Sequence, residues 1–216
     1  MTINPDETID DLGSYKIIQK KSGYRFTEDS VSLADFVLPL KPTDSVIDLG
    51  TGSGVIPLIL AQKSQVQNIV GIEIQEGLAE LAKRNVELNN LSSMIRITQG
   101  DLRDSIHNNL FKGNSFSVVI SNPPYTKAAS GRISPSQEKR IAKTETACSL
   151  QDMIRTSRQL ISDEGRIVYS YPVSRLKEML SVMRNNKLEP VRVKFVEPRP
   201  GCKVKIFLIE AVKKKG

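Results

Sequence analysis

Residues 121–127 read Ser-Asn-Pro-Pro-Tyr-Thr-Lys, directly after Phe-Ser-Val-Val-Ile, a run with the composition of a buried strand. A tight turn needs less than this tetrapeptide. Asn122 offers a side-chain oxygen as a hydrogen-bond acceptor. Pro123 offers a backbone carbonyl without a competing N–H, and Pro124 fixes the turn. Tyr125 adds a ring face on which a flat group can stack. Two acceptors converging on one amine draw its hydrogens aside and favour a tetrahedral nitrogen whose lone pair can attack an electrophile. The chemistry rests on proximity and oriented dipoles rather than on a strong base. The plainer alternative is a loop that merely ends a strand.

A second cluster is acidic. Asp48 opens Asp-Leu-Gly-Thr-Gly-Ser-Gly (48–54), Glu73 ends Ile-Val-Gly-Ile-Glu, and Asp101 follows Thr-Gln-Gly. Glycines at 50, 52 and 54 let the backbone turn sharply and approach a ligand, and a helix N-terminus follows. The loop lacks the lysine and Ser/Thr of a phosphate-binding P-loop, and Val55 stands where the dinucleotide fingerprint needs its third glycine. Asp48 would repel a phosphate. Glu73 has the offset of an acid that accepts from ribose hydroxyls, and Asp101 can accept from an adenine amine. Each acid alone has an ordinary reading, as a turn acid, a surface acid or a helix cap. Together, at three successive strand ends, they describe an adenosine that carries an amino acid and positive charge. S-adenosyl-L-methionine fits that description.

These residues need a frame. Strands and helices alternate from Ser45: Ser-Val-Ile-Asp-Leu-Gly, the helix 55–63, Asn-Ile-Val-Gly-Ile-Glu-Ile, a helix with Leu78, Leu81, Ala82 and Val86 on one face, then strands at 94–100 and 116–121. A helix over 149–161, a strand over 165–171 and a helix over 173–186 follow. Two strands at 191–198 and 203–212 close the chain, joined by the turn Arg-Pro-Gly-Cys. Right-handed crossovers make such a sheet mostly parallel and covered on both faces, whereas the last, short connection makes its pair antiparallel. The expected fold is therefore α/β, a Rossmann-like, doubly wound, seven-stranded sheet that binds ligands beyond the carboxyl ends of its strands. Ahead of it, residues 15–27 are expected to form a hairpin with Gly23 in the turn. A helix capped by Thr27 follows, so that residues 1–40 pack as a hairpin and helix on a domain of residues 41–216.

Composition narrows the function. His107 is the only histidine, and Cys148 and Cys202 lie far apart, so no metal site or histidine-based triad is expected. The N-terminus is acidic without an apolar signal region, and no apolar run is long enough to span a bilayer. A reduced, cytoplasmic protein follows, a monomer or a weak homodimer. Residues 1–100 carry 9 basic and 13 acidic side chains, but residues 101–216 carry 22 and 11. A one-sided basic surface attracts polyanions such as nucleic acid. The loop after the platform supplies Lys127, Arg132, Lys139, Arg140 and Lys143 against Glu138, and Arg199 and Lys203 flank the final turn. These seven cations are the expected RNA contacts, with the lysines at 213–215 as nonspecific phosphate contacts. A flexible insertion remains the alternative for the loop.

Val-Ile-Asp-Leu-Gly-Thr-Gly-Ser-Gly, Ile-Val-Gly-Ile-Glu-Ile, Gln-Gly-Asp-Leu and Val-Val-Ile-Ser-Asn-Pro-Pro-Tyr, in this order and spacing, resemble a class I S-adenosylmethionine-dependent methyltransferase from about residue 45 onward. The Asn-Pro-Pro-Tyr variant resembles enzymes that methylate adenine exocyclic amines or glutamine side chains. Residues 22–37 and 196–216 are similar to the flanks of the tRNA1(Val) (adenine-N6)-methyltransferase family. One difference is Ala-Lys-Thr-Glu at 142–145, with Thr144 where the family's pattern often has histidine. The resemblance implies catalytic roles for Asn122, Pro123, Pro124 and Tyr125. It implies cofactor contacts from Asp48, Gly50, Thr51, Gly52, Glu73, Ile74, Asp101, Leu102 and Asn122. Arg25, Phe26 and Thr27 would cover the cofactor's methionine end, although Phe26 reads equally well as core. The implied substrate is an adenine in the anticodon region of a tRNA. Glutamine methylation of a release factor, and a non-catalytic RNA-binding role, are the alternatives.

Overall fold

The structure is a computed structural model and describes residues 3–22, 25–104, 110–123, 148–197 and 201–214. Its centre is a sheet of strands β3 (Ser45–Leu49), β4 (Asn68–Glu73), β5 (Ile95–Gln99), β6 (Phe116–Ser121), β7 (Ile161–Pro172), β8 (Leu188–Val196) and β9 (Ile206–Lys213). They lie in the order β5-β4-β3-β6-β7-β9-β8. Neighbours from β5 to β7 pair in parallel, and β9 runs antiparallel to both β7 and β8. The order reverses between β3 and β6, which makes the carboxyl ends of those two strands the switch point where a crevice opens.

Helices cover both faces. On one side α1 (Glu28–Val37) and α2 (Val55–Lys63) bury Leu33, Val37, Leu58 and Leu60 against Val46, Val118 and Leu208. Helix α2 is apolar around most of its circumference, and its residues from Val55 to Ala61 are all buried. A helix without a polar face must be enclosed; here α1 and the N-terminal strands supply its second wall. On the other side lie α4 (Leu150–Leu160) and α5 (Leu176–Asn185), which bury Met153, Ile154, Met179 and Met183 with Ile47, Val119 and Tyr169. Ser149 and Asp152 cap α4 reciprocally, satisfying two backbone donors of the first turn. Helix α3 (Glu76–Leu88) lies next to β5 and the hairpin. No helix among the described residues is long and apolar enough to cross a membrane.

The N-terminal hairpin differs from expectation. Its strands are β1 (Glu7–Leu12) and β2 (Tyr15–Lys20), turned at Gly13 and Ser14, with Gly13 at φ +66°. Residues 25–27 form no strand, and Gly23 lies outside the described residues. The acid-rich β1 hides its partners from a hydrophobic-pattern reading because, Leu12 apart, the side chains it buries or half-buries are polar. Glu7 is held by Arg84 at 2.6 and 2.8 Å, and Asp10 by Gln19 and Arg25 at 2.7 and 2.8 Å. The outer edge of β2 is closed by side chains of α3 in place of a third strand. Asn85 bonds both the N–H and the carbonyl of Ile18, and Asn89 does the same for Lys16. Thr27 occupies the N-cap of α1 as expected, but its side chain makes no capping hydrogen bond.

Candidate cofactor and substrate site

The glycine loop leaves β3 at the centre of the sheet. Gly50, Gly52 and Gly54 have φ of +74°, +58° and +83°, values that disfavour any side chain. The loop folds back on the next strand through the amides of Gly50 and Thr51, which both donate to the Ile72 carbonyl. Gly71 of β4 makes room for this: a Cβ there would stand 2.8 Å from the Thr51 side chain.

Asp48 is buried, and its Oδ2 accepts from the Thr51 hydroxyl at 2.7 Å. Burial pushes its carboxyl up to about 7, the Thr51 bond opposes that rise, and Glu73 adds to it. Asp48 Oδ1 and the Ser53 hydroxyl are the two buried side-chain polar atoms without a hydrogen-bond partner among the described residues, and both belong to this loop. Buried polar atoms in native folds are nearly always paired, so two orphans in one loop mark a place where a ligand supplies the missing partners. A carboxylate and a hydroxyl together suit an ammonium group better than a phosphate.

Glu73 is also buried, and its oxygens hold backbone. Oε2 accepts from Gly52 N–H at 2.9 Å and Oε1 from Gln75 N–H at 3.0 Å. Burial raises its carboxyl, and the amides of Gln75, Gly52 and Ile74 pull it back down. Glu73 therefore fixes the loop, and a carboxylate with about four acceptor positions keeps capacity for a ribose. Gly50, Ile72, Ile74, Gly100, Asp101, Leu102 and Cys148 line an adjoining, mostly apolar cleft. Asp101 is closed onto Arg103, which lowers its carboxyl; no local pattern announces that fork. Burial pushes the Cys148 thiol up to about 12, which leaves it inert as a nucleophile.

Across the switch point, Asn122 follows β6. Its Nδ2 donates to the Ser30 hydroxyl at 2.9 Å, and its Oδ1 accepts from Ser170. Pro123 is buried. Pro124, Tyr125, Lys127, Arg132, Lys139, Arg140, Lys143, Thr144 and Arg199 lie outside the described residues. Arg25 is turned onto the hairpin, where it bonds Thr8, Asp10 and the Lys20 carbonyl. Phe26 packs half-buried against the core, and Thr27 is exposed. Lys203 is exposed in the connection between β8 and β9. Lys213, expected to be open to phosphate, is instead buried on Asp163 and Asn114 at 2.9 and 2.7 Å. The sequence pattern does not single out Ser30 or Ser170. The available signal was a serine at an inward position between two tyrosines of a core strand.

The strand order, with β9 threaded antiparallel between β7 and β8, and a glycine loop framed by strand-end acids at the switch point define a class I methyltransferase fold. The chain belongs to the methyltransferase-domain family, whose model matches residues 40–197. Among curated proteins it is similar to a tRNA1(Val) (adenine(37)-N6)-methyltransferase of Porphyromonas gingivalis. The two are 32% identical over 164 residues, covering 76% of this chain and 64% of the relative, so the chain spans less than two thirds of that protein's length. A protein of the same name from Trichodesmium erythraeum is 26% identical over 209 residues, covering 93% of this chain and 82% of the relative. Among solved structures, the M. jannaschii tRNA m1G37 methyltransferase superposes with a TM-score of 0.71 at 17% identity, covering 99% of this chain and 58% of that one. Geranyl diphosphate C-methyltransferase from Streptomyces coelicolor A3(2), solved with Mg2+, geranyl diphosphate and S-adenosyl-L-homocysteine, gives 0.64 at 14% identity, covering 86% and 77%. At these identities the structural likeness is one of fold.

Proposed function

We propose that this protein methylates the exocyclic N6 of an adenine in the anticodon region of a tRNA, with S-adenosyl-L-methionine as methyl donor. The observation that carries the reading is the pair of orphaned buried atoms, Asp48 Oδ1 and the Ser53 hydroxyl, in a glycine loop that faces an Asn-Pro strand end across the switch point. Bound there, the cofactor supplies an electrophilic methyl group on a sulfonium.

This chain's residues do the remainder. Asp48 receives the cofactor's ammonium, Glu73 holds the loop and takes the ribose, and Asp101, once released from Arg103, takes the adenine amine. Gly50, Thr51, Gly52, Ile74 and Leu102 wall the cleft. Asn122 Oδ1 and the Pro123 carbonyl accept the two hydrogens of the target amine, and Tyr125 stacks the base. Pairing both hydrogens withdraws the nitrogen lone pair from conjugation with the ring and directs it at the methyl. Transfer would break the sulfonium S–CH3 bond and leave a neutral thioether, and the extra proton would leave the nitrogen to solvent, since a methylated ammonium on an aromatic ring is strongly acidic.

An adenine in a tRNA loop is already partly unstacked, so extruding it demands little. Lys203 and the basic side chains at 127, 132, 139, 140, 143 and 199 would hold the phosphates. A tRNA substrate makes the cytoplasm the expected site of action. The test incubates the protein with labelled cofactor and unmodified total tRNA, then digests the RNA and identifies the nucleoside by mass spectrometry. N6-methyladenosine is expected. Its absence, with label appearing on a release factor, would replace the reading by glutamine methylation. Absence of cofactor binding by calorimetry would replace it by a non-catalytic one.

A further inference from the structure

We propose that Ser30 and Ser170 are positioning residues for the transfer step, and that helix α1 thereby forms part of the reaction site. This rests on the reading of Asn122 as the residue that holds the target amine.

Three remote segments meet at the Asn122 amide. Parallel pairing sets Ser121 of β6 opposite Tyr169 of β7, so the next residue along each strand brings Asn122 beside Ser170. Ser30, in the first turn of α1, comes from the opposite side. Both serines are buried, at 1% and 0% exposure. A buried hydroxyl without a partner is costly, so their presence calls for a reason, and their bonds to Asn122 supply one.

The arrangement has a direction. Nδ2 donates to Ser30 and Oδ1 accepts from Ser170, which sets the rotation of the amide about its χ2. An amide oxygen accepts two hydrogen bonds, so the bond from Ser170 is compatible with one from a target amine. Donation by Nδ2 to Ser30 also polarises the amide toward Oδ1 and strengthens it as an acceptor. Without the pair, Asn122 could turn its NH2 toward the incoming amine, and two donors would then face each other.

Helix α1 is anchored in turn. Phe26 N–H donates to Gln19 of β2 at 3.2 Å, and Leu33, Ala34 and Val37 are fully buried. The Ser121 hydroxyl ties β6 to β3 by donating to the Leu49 carbonyl at 2.7 Å. The amide is thus fixed from the sheet below and from the N-terminal helix beside it.

The test uses this 216-residue chain carrying Ser30→Ala, Ser170→Ala and Asn122→Ala singly, and Ser30→Ala combined with Asn122→Ala. Each serine variant is expected to lower kcat by about tenfold or more while the cofactor Kd stays within about twofold. Adding Ser30→Ala to Asn122→Ala should cause no further loss, because the serine acts through that side chain. A further loss equal to that in the wild-type background, or a loss confined to cofactor affinity, would overturn the proposal.

A second measurement needs no substrate and stands apart from the choice of substrate. The Asn122 side-chain NH2 resonances, assigned by their disappearance in Asn122→Asp, should be protected from hydrogen exchange in the wild type and exposed in Ser30→Ala. Equal exchange in the two proteins would overturn the clamp even if the protein methylates adenine. Retained protection differences in a protein that methylates glutamine instead would leave the clamp standing and remove only the substrate reading.

Discussion

The two halves of the crevice are built in different ways. The cofactor half is local. Asp48, Thr51, Gly52 and Ser53 are consecutive or nearly so, and Glu73 reaches them from the adjacent strand. The platform half is assembled from afar: Asn122 is held by residues 92 and 48 positions away in sequence. The first half keeps buried polar atoms unpaired among the described residues, as a ligand cradle should, whereas the second spends its bonds on fixing one side chain. One half is therefore tuned for binding and the other for orientation, and substitutions should separate them.

The sharpest break is at the platform. Asn122→Ala should lower the rate of methyl transfer by about a hundredfold to a thousandfold, the scale seen when one preorganised polar group is removed from a reacting centre. Cofactor affinity should stay within about twofold, because the side chain that is lost bonds Ser30 and Ser170 rather than the glycine loop. Single-turnover kinetics and calorimetry read the two quantities separately. Unchanged activity would remove Asn122 from the mechanism.

Next comes the cradle. Asp48→Asn should weaken cofactor binding by about tenfold to a hundredfold, the worth of a hydrogen bond to a charged group. The same change should stabilise the cofactor-free protein at alkaline pH. The Asp48 carboxyl is raised from 3.8 to about 7 in the fold, so the folded state holds a proton that the unfolded chain has released. Its contribution to stability is present at low pH and is lost as pH rises through about 7. Thermal melts at pH 5 and pH 8 without cofactor should show wild type losing more stability than Asp48→Asn. Cofactor binding near pH 6 should release a proton, seen as a dependence of the calorimetric heat on buffer. Parallel melting shifts in the two proteins would sink the assignment.

The same contrast explains what could be read from the sequence. The β3–loop–α2 unit follows from contiguous residues, because Asp48, the three glycines and the apolar run from Val55 to Ala61 each act on near neighbours. The sheet order is legible because alternating strands and helices leave few right-handed alternatives. The hairpin is hard to place from the sequence because the polar side chains it buries, Glu7 and Gln19 among them, interrupt its apolar pattern, and its partners Arg84, Asn85 and Asn89 lie on or at the end of a helix far along the chain. Ser30 and Ser170 escaped for the same reason. Nothing near either residue says that the other will share a partner with it.

The hairpin itself offers a smaller test of how remote anchoring matters. Hydrogen bonds from Arg84 hold the buried Glu7 carboxyl at about 2, below its ordinary 4.5. Its contribution to stability is present above the unfolded value and is lost as pH falls through about 2. Glu7→Gln keeps the shape and removes the charge, and should cost about 1–3 kcal/mol by denaturant titration. Cofactor affinity should fall less than in Asp48→Asn, since the hairpin is tied to the loop at second hand, through Asn85, which bonds both Ile18 and the Ser53 carbonyl. A larger loss of affinity than of stability would mean that the hairpin contributes to the cradle directly.

The smallest effect separates two lysines that look alike in the sequence. Lys203 is exposed, whereas the Lys213 ammonium is committed to Asp163 and Asn114. A phosphate contact adds about one to the slope of log affinity against log salt. Lys203→Ala should therefore weaken tRNA binding modestly and lower that slope by about one, while Lys213→Ala should leave the slope unchanged and reduce stability instead. Binding isotherms at several salt concentrations measure the slope. An equal change in slope for both variants would mean that Lys213 leaves Asp163 and Asn114 when RNA arrives, and that the C-terminal strand pair is remade on binding rather than presented ready-formed.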